Sequence, residues 1–312
     1  MSSPSLLLRV GLSLVVLLTC VATLEVAGRV LFTPPPLPPP LIPDSQTGWA
    51  LPPSSQFVMG DVNHHFNSLG LRGHEPVELS GVIRLLVLGD SSAFGWEVGE
   101  DESFAGRLEM LVARGRPADV QNGGVPGFSC PQSLSVYERV SSIIPPDILV
   151  VYSLTSDTRL STGGGYPLAE PVFGPLGIVG IGRLASQASY WLRSRTNAPL
   201  LTGRRYHACI EELVERQQAQ DGQVVLVVPL TLDVFPPEMQ KRPLLNDPNR
   251  EFAEVLKQLA EQHQVPLLDC AEIVGDASPQ DLLLDEVHPN QRGHALIADR
   301  LYEIISDQGW LE

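Results

Sequence analysis

The strongest pattern along the chain is a set of short runs that are apolar at nearly every position, separated by segments whose apolar residues recur every three or four places. "VIRLLVLGD" (Val82–Asp90), "DILVVYSL" (Asp147–Leu154), "QVVLVVPL" (Gln223–Leu230) and "VPLLDC" (Val265–Cys270) are runs of the first kind. They predict strands buried on both faces. "ADVQNGG" (Ala118–Gly124) reads as a shorter strand ending in a glycine pair. Between them lie helical patterns. In "ESFAGRLEMLVARG", Phe104, Leu108 and Leu111 share one stripe and Gly115 is the stop. "PQSLSVYERVSSII" carries Pro131 in its first turn, and "REFAEVLKQLAEQHQ" and "QRGHALIADRLYEIISDQ" follow. Doubly buried strands alternating with amphipathic helices imply a parallel sheet covered on both sides.

The N-terminus departs from this pattern. "VGLSLVVLLTCVATL" (Val10–Leu24) is a continuous uncharged stretch. Alone it spans about 22 Å as a helix, short of the roughly 30 Å hydrocarbon core, and Leu6–Leu8 lengthen it. Two readings stand: an uncleaved anchor, or a signal peptide cut near Cys20-Val21-Ala22. "TPPPLPPPLIP" (Thr33–Pro43) is a semi-rigid polyproline spacer. The expected organisation is a signal or transmembrane segment over 1–32, a Pro-rich linker over 33–53, an extended lead-in over 54–81 and the catalytic domain over 82–312. An insertion or lid is expected at about 158–201. The stretch from Gln46 to Pro76 reads as irregular chain, with His64, His65 and His74 solvated.

The 312 residues are 43% apolar and 18% charged, with a formal net charge of -15. Such a surface repels phosphate backbones, so nucleic acid is not an expected partner. Cys20, Cys130, Cys209 and Cys270 form no C-x-x-C pair. No metal or other cofactor is expected, and the cysteines are read as free thiols, with room for at most one bridge among the last three.

In an open parallel sheet, ligands meet the C-terminal strand ends. That places "GDSS", "NGG" and "SLTSD" on one rim with the loop after "VPLLDC". Near the end of the chain comes "DEVHPN" (Asp285–Asn290), in which one turn brings Asp285 beside His288. An imidazole oriented by a carboxylate is the usual base for a serine hydroxyl.

"VLGDSSAFGW", "VQNGGVPGFS" and "DEVHPNQRGHALIADRL" together resemble the SGNH/GDSL hydrolase superfamily, from about Val82 to the C-terminus. The lead-in "FNSLGLRGHEP" also resembles the segment ahead of that domain in exported bacterial members. The resemblance implies a three-layer α/β/α flavodoxin-like sandwich. It implies a serine esterase with Ser91 as nucleophile, His288 as base and Asp285 as its acid partner. The oxyanion hole it implies uses the backbone N–H groups of Ser91 and Gly124. A third donor, the family's block III asparagine, falls on Ser156, whose shorter side chain puts that position in doubt. Thr155 and Asn122 are the other candidates. Acetyl esters, including acylated carbohydrate, are the expected substrates. Acyl transfer, a lipid ester, or a non-catalytic binding protein that kept the fold are the alternatives. The expected location is the cell membrane with the catalytic domain outside the cytoplasm, or secretion if the N-terminus is cleaved.

Overall fold

The computed structural model describes residues 6–31, 39–77, 79–153, 155–158, 201–236 and 248–312. The chain divides into two compact units. One comprises Pro39–Ile42, Ala50–Arg159 and Pro199–Glu312; the other includes the N-terminal helix. That helix, α1, runs Leu6–Leu31. It continues past the uncharged stretch through Glu25 and Arg29, which pair one turn apart at 2.7 Å. Its 26 residues span about 39 Å at the usual rise. The part from Arg9 to Leu31 is long and apolar enough to cross a membrane, a test a signal sequence also passes.

The larger unit is built on five parallel strands: β5 (Ile83–Gly89), β6 (Ala118–Gly124), β7 (Ile148–Tyr152), β8 (Gln223–Val228) and β9 (Leu267–Asp269). They lie in the order β6-β5-β7-β8-β9. Val87 pairs with Asn122 on one side and Val150 on the other, and Val150 in turn with Val225. The chain thus moves outward from β5 to β6 and then crosses to β7. That reversal opens a crevice at the C-terminal ends of β5 and β7. Leu85, Val87, Val150 and Val225 meet α3 (Phe104–Val112) and α9 (Gln291–Asp307) on one face through Phe104, Leu108, Ile297 and Leu301. The opposite layer is α4 (Cys130–Ser141), α6 (Gly203–Gln218) and α7 (Pro248–His263). This is the three-layer arrangement the strand and helix pattern implied.

Three sequence expectations are corrected. The lead-in is not irregular throughout. β3 (Ser55–Met59) and β4 (Val62–Phe66) form an antiparallel hairpin closed by Gly60 and Asp61, with Gly60 at φ 60°. Two apolar-alternating runs separated by Gly-Asp are a hairpin signal that was available in the sequence. Second, His64 on β4 is fully buried and stacks on Phe94 at 5.1 Å, and its two ring nitrogens are unpartnered. Burial pushes its pKa down to about 4. Third, Cys130 and Cys209 are joined across 79 residues of chain. The sheet brings the first turn of α4 beside α6, a proximity no local spacing reveals. In the loop-entropy account a bridge of this length contributes about 4.5 kcal/mol. Cys270 stays a buried free thiol and Cys20 an exposed one. Helix α6 was not expected at all, because its amphipathic stripe adjoins the Gly- and Pro-rich stretch. The expected insertion, with Arg159 and Gly163–Gly165, falls outside the described residues, apart from its ends at Thr158 and Leu201. Leu154 and most of the polyproline run also lie outside them.

The lead-in clasps β6, the edge strand of the sheet. Asn67 donates to Gln121 Oε1 at 2.7 Å, Arg72 N–H to the Asn122 carbonyl at 3.0 Å, and Val77 N–H to Asp119 at 2.9 Å. His74 lies beside Glu109 of α3 at 2.9 Å, and that hydrogen bond raises its pKa to about 9. A histidine whose pKa rises on folding stabilises fully below its unfolded value near 6.5 and loses the contribution as pH climbs through the folded value. Denaturant titrations from pH 6.5 to 9.5 are therefore expected to show falling stability. His74→Gln should remove that part of the slope.

Candidate active site

At the end of β5 the backbone turns sharply into a single-turn helix, α2 (Ser91–Phe94). Gly89 is required there, since a Cβ would lie 2.2 Å from the Tyr152 carbonyl oxygen. Asp90 is the N-cap and accepts the Ser92 N–H at 2.9 Å. The two serines then diverge. Ser92 points inward and donates to the Val287 carbonyl at 2.9 Å. Ser91 Oγ lies 2.8 Å from His288 Nε2. These atoms are 197 residues apart in sequence.

His288 Nδ1 lies 2.6 Å from Asp285 Oδ2. The other carboxylate oxygen accepts the N–H groups of Val287 (2.8 Å) and His288 (2.9 Å), which locks the turn. Partial burial opposes ionisation of Asp285, but these hydrogen bonds outweigh it and hold the pKa at about 2. The next residues fix this turn to α9. Asn290 is the N-cap, and its Oδ1 accepts from Arg292 N (2.9 Å) and Gly293 N (3.1 Å). On the outer side the Trp96 ring stacks on His288 with centroids 6.0 Å apart and planes at 27°.

Gly124 closes the other side of α2. A Cβ there would sit 2.4 Å from Phe94 N, so β6 approaches the helix backbone as only glycine allows. Its N–H donates to Asn122 Oδ1 at 3.0 Å. The Ser91 N–H meets no acceptor among the described residues. The three candidates for a further donor are all engaged elsewhere. Ser156 donates both its hydroxyl (3.0 Å) and its N–H (3.1 Å) to Asp90 Oδ2. The Thr155 hydroxyl donates to the same oxygen. Asn122 Nδ2 donates to the carbonyls of Ala93 (3.0 Å) and Phe94 (3.3 Å). Beneath them Asp157 is fully buried, accepting from Cys130 N–H and the Ser153 hydroxyl, each at 2.7 Å. Burial raises its pKa to about 7.

His294 lies apart from this chemistry. It is buried, stacks on Phe104 and accepts the Phe104 N–H at 3.2 Å, and burial lowers its pKa to about 3. Among the described residues, two clusters have the donor types of a metal site: His74, Glu109 and Asp119, and Glu211, Glu215 and His263. In the first, each group already has a hydrogen-bond partner within the protein. The residue that sequence reasoning missed is Arg72. It is buried, and its guanidinium reaches the carbonyls of Phe94, Gly95 and Val98 under α2. Its signal in the sequence was only the resemblance of "FNSLGLRGHEP".

The sheet is doubly wound, and a serine, a histidine and a carboxylate stand in hydrogen-bond series at its C-terminal rim. The model of the GDSL-like Lipase/Acylhydrolase family matches residues 87–296, and the chain belongs to that family. It is an ester-hydrolysing enzyme. Among solved structures, an α/β hydrolase enzyme, LAE5, from the metagenome of Lake Arreo is similar at 17% identity and a TM-score of 0.51. It covers 74% of this chain and 96% of its own. The acetylxylan esterase Axe2 of Geobacillus stearothermophilus is similar at 17% identity and a TM-score of 0.51, covering 72% and 94%. At this identity the likeness speaks for the fold. No curated protein matches the chain.

Proposed function

We propose that this protein is an exported serine esterase that removes small acyl groups, acetyl foremost, from oxygen esters, with acylated carbohydrate as the substrate. The observation that carries the reading is the single imidazole bonded to both Ser91 (2.8 Å) and Asp285 (2.6 Å). Ser91 Oγ attacks the ester carbonyl carbon as its proton passes to His288 Nε2. The Nδ1–H stays on the ring and donates to the ionised Asp285, which favours the imidazolium. The tetrahedral oxyanion is met by the N–H of Ser91 and by that of Gly124, which turns to it from Asn122 Oδ1, each donor contributing on the order of 3 kcal/mol. The proton on Nε2 then goes to the leaving alkoxide and the acyl group remains on Ser91. Water, deprotonated by His288, releases the acid and restores the serine.

The hydroxyl of Ser156 is bonded to Asp90, so this reading draws the oxyanion donors from backbone alone: the Ser91 N–H, and the Gly124 N–H once it leaves Asn122 Oδ1. Removing a true oxyanion donor costs about a hundred- to a thousandfold in kcat. Ser156→Ala is therefore expected to lose less than about tenfold in kcat, well short of that range. A loss of the larger size would return Ser156 to the oxyanion hole.

The reading assigns 1–32 to a membrane anchor or export signal, 33–53 to a spacer and 54–312 to the catalytic body. Support for an extracytoplasmic site comes from α1 and from the Cys130–Cys209 bridge, since such bridges persist in oxidising compartments. The test is acyl preference and acceptor. Rates on p-nitrophenyl acetate and p-nitrophenyl octanoate, and acetate release from acetylated xylan, separate the candidates. Faster octanoate turnover would point to lipid esters. Acetyl appearing on an added sugar in place of free acetate would point to transfer. A folded chain with no turnover of any of these overturns the esterase reading.

A further inference from the structure

A guanidinium inside a protein is costly unless its N–H groups are met. Arg72 is 2% exposed. Nη1 donates to the carbonyls of Phe94 and Gly95 (2.7 Å), and Nη2 to that of Val98 (2.6 Å). The group also packs 4.7 Å above the Phe94 ring. Among the described residues it forms no ion pair with a carboxylate, and Nε has no partner. The charge is met by those carbonyls and the Phe94 ring, and Glu100 favours it electrostatically. Burial depresses its pKa to about 10, which leaves it a cation at physiological pH.

Those carbonyls belong to the segment that turns α2 back on itself. The helix has only one turn and ends at Gly95 with φ 85°, and Glu97 follows at φ 60°. A Cβ on Gly95 would lie 2.6 Å from Arg72 Nη1, so glycine serves both the backbone and the approach of the cation. Ser91 begins this segment, and Trp96 within it stacks on His288. Arg72 is also bonded through its own N–H to the Asn122 carbonyl, at 3.0 Å. The Asn122 side chain in turn holds Ala93, Phe94 and the Gly124 N–H. One connected network therefore touches the serine turn, the stacking surface of the histidine and the glycine beside them.

From this we infer that Arg72, supplied by the lead-in ahead of the sheet, is a positioning residue that sets Ser91 against His288. The inference rests on the esterase reading above. Lysine cannot replace the planar fork, because a single ammonium does not reach three carbonyls spread along a turn. Methionine keeps volume and leaves those carbonyls unmet.

The experiment uses the full chain with Arg72→Lys and Arg72→Met, read by kcat and KM on p-nitrophenyl acetate, the rate of fluorophosphonate labelling of Ser91, and thermal melting. His74→Gln is the control, since it loosens the same lead-in at Glu109 without touching α2. Misplacing a nucleophile by an ångström costs about a hundredfold. Arg72→Met is expected to lose that much in kcat and in labelling rate, and Arg72→Lys about tenfold or more, with KM held within about threefold. His74→Gln should keep kcat even where its melting temperature falls. Folded Arg72 variants with kcat near wild type overturn the inference. So does a His74→Gln variant that loses kcat in the same proportion to its melting temperature. Should Arg72→Met fail to fold, Arg72→Lys decides. Wild-type protein with neither turnover nor labelling sinks the esterase reading instead.

Discussion

Ser91→Ala is expected to abolish useful turnover, with kcat falling by about a millionfold, the loss seen when a triad nucleophile is removed. The fold should survive the change. Ser91 does not cap α2; Asp90 does that. Its hydroxyl is bonded to His288 and, among the described residues, to no backbone group. Melting temperature is accordingly expected to stay close to wild type while fluorophosphonate labelling disappears. Ser92→Ala is the informative contrast, because its hydroxyl holds the Val287 carbonyl one residue before the base. It should lower kcat through misplacement of His288 and still be labelled. Persistent labelling of the Ser91→Ala protein at another serine would remove Ser91 from the proposed role.

Asp285→Asn is expected to lower kcat by about ten-thousandfold with little change in KM. The two N–H groups of Val287 and His288 that now meet Oδ1 would hold the amide oxygen. The amide NH2 then faces His288 Nδ1, which must become an acceptor. The ring proton moves to Nε2, the nitrogen that has to receive the Ser91 proton. The base is thus occupied without any atom being displaced. With its pKa held at about 2, Asp285 stays ionised across the working range. The acid limb of a wild-type pH–rate profile should therefore not report Asp285. A loss of less than about tenfold in Asp285→Asn would mean that the His288 tautomer is set by something else.

Particular elements show where sequence was enough. β7 is buried at all five positions, and its continuous apolar run said so. β6 ends at its glycine pair and α4 begins with a proline in its first turn, because those signals act on neighbouring backbone. The rim residues of β5 and the Asp285–His288 turn were legible for the same reason. A strand tip and a three-residue spacing are local objects. The hairpin β3–β4 carried a readable Gly-Asp turn and was passed over amid histidines that resemble loop.

The chain alone determined the periods of its elements, the strand tips that carry hydroxyls and the apolar character of α1, since each depends on residues a few positions apart. Tertiary structure decided what meets across long stretches of chain. It paired Ser91 with His288, closed Cys130 on Cys209, buried His64 and sent Arg72 beneath α2. It also turned Ser156 toward Asp90 and so assigned its hydroxyl. The physical reason is that side-chain direction at a sheet rim is set by strand order and helix crossing. A residue's own neighbours in sequence carry no record of either.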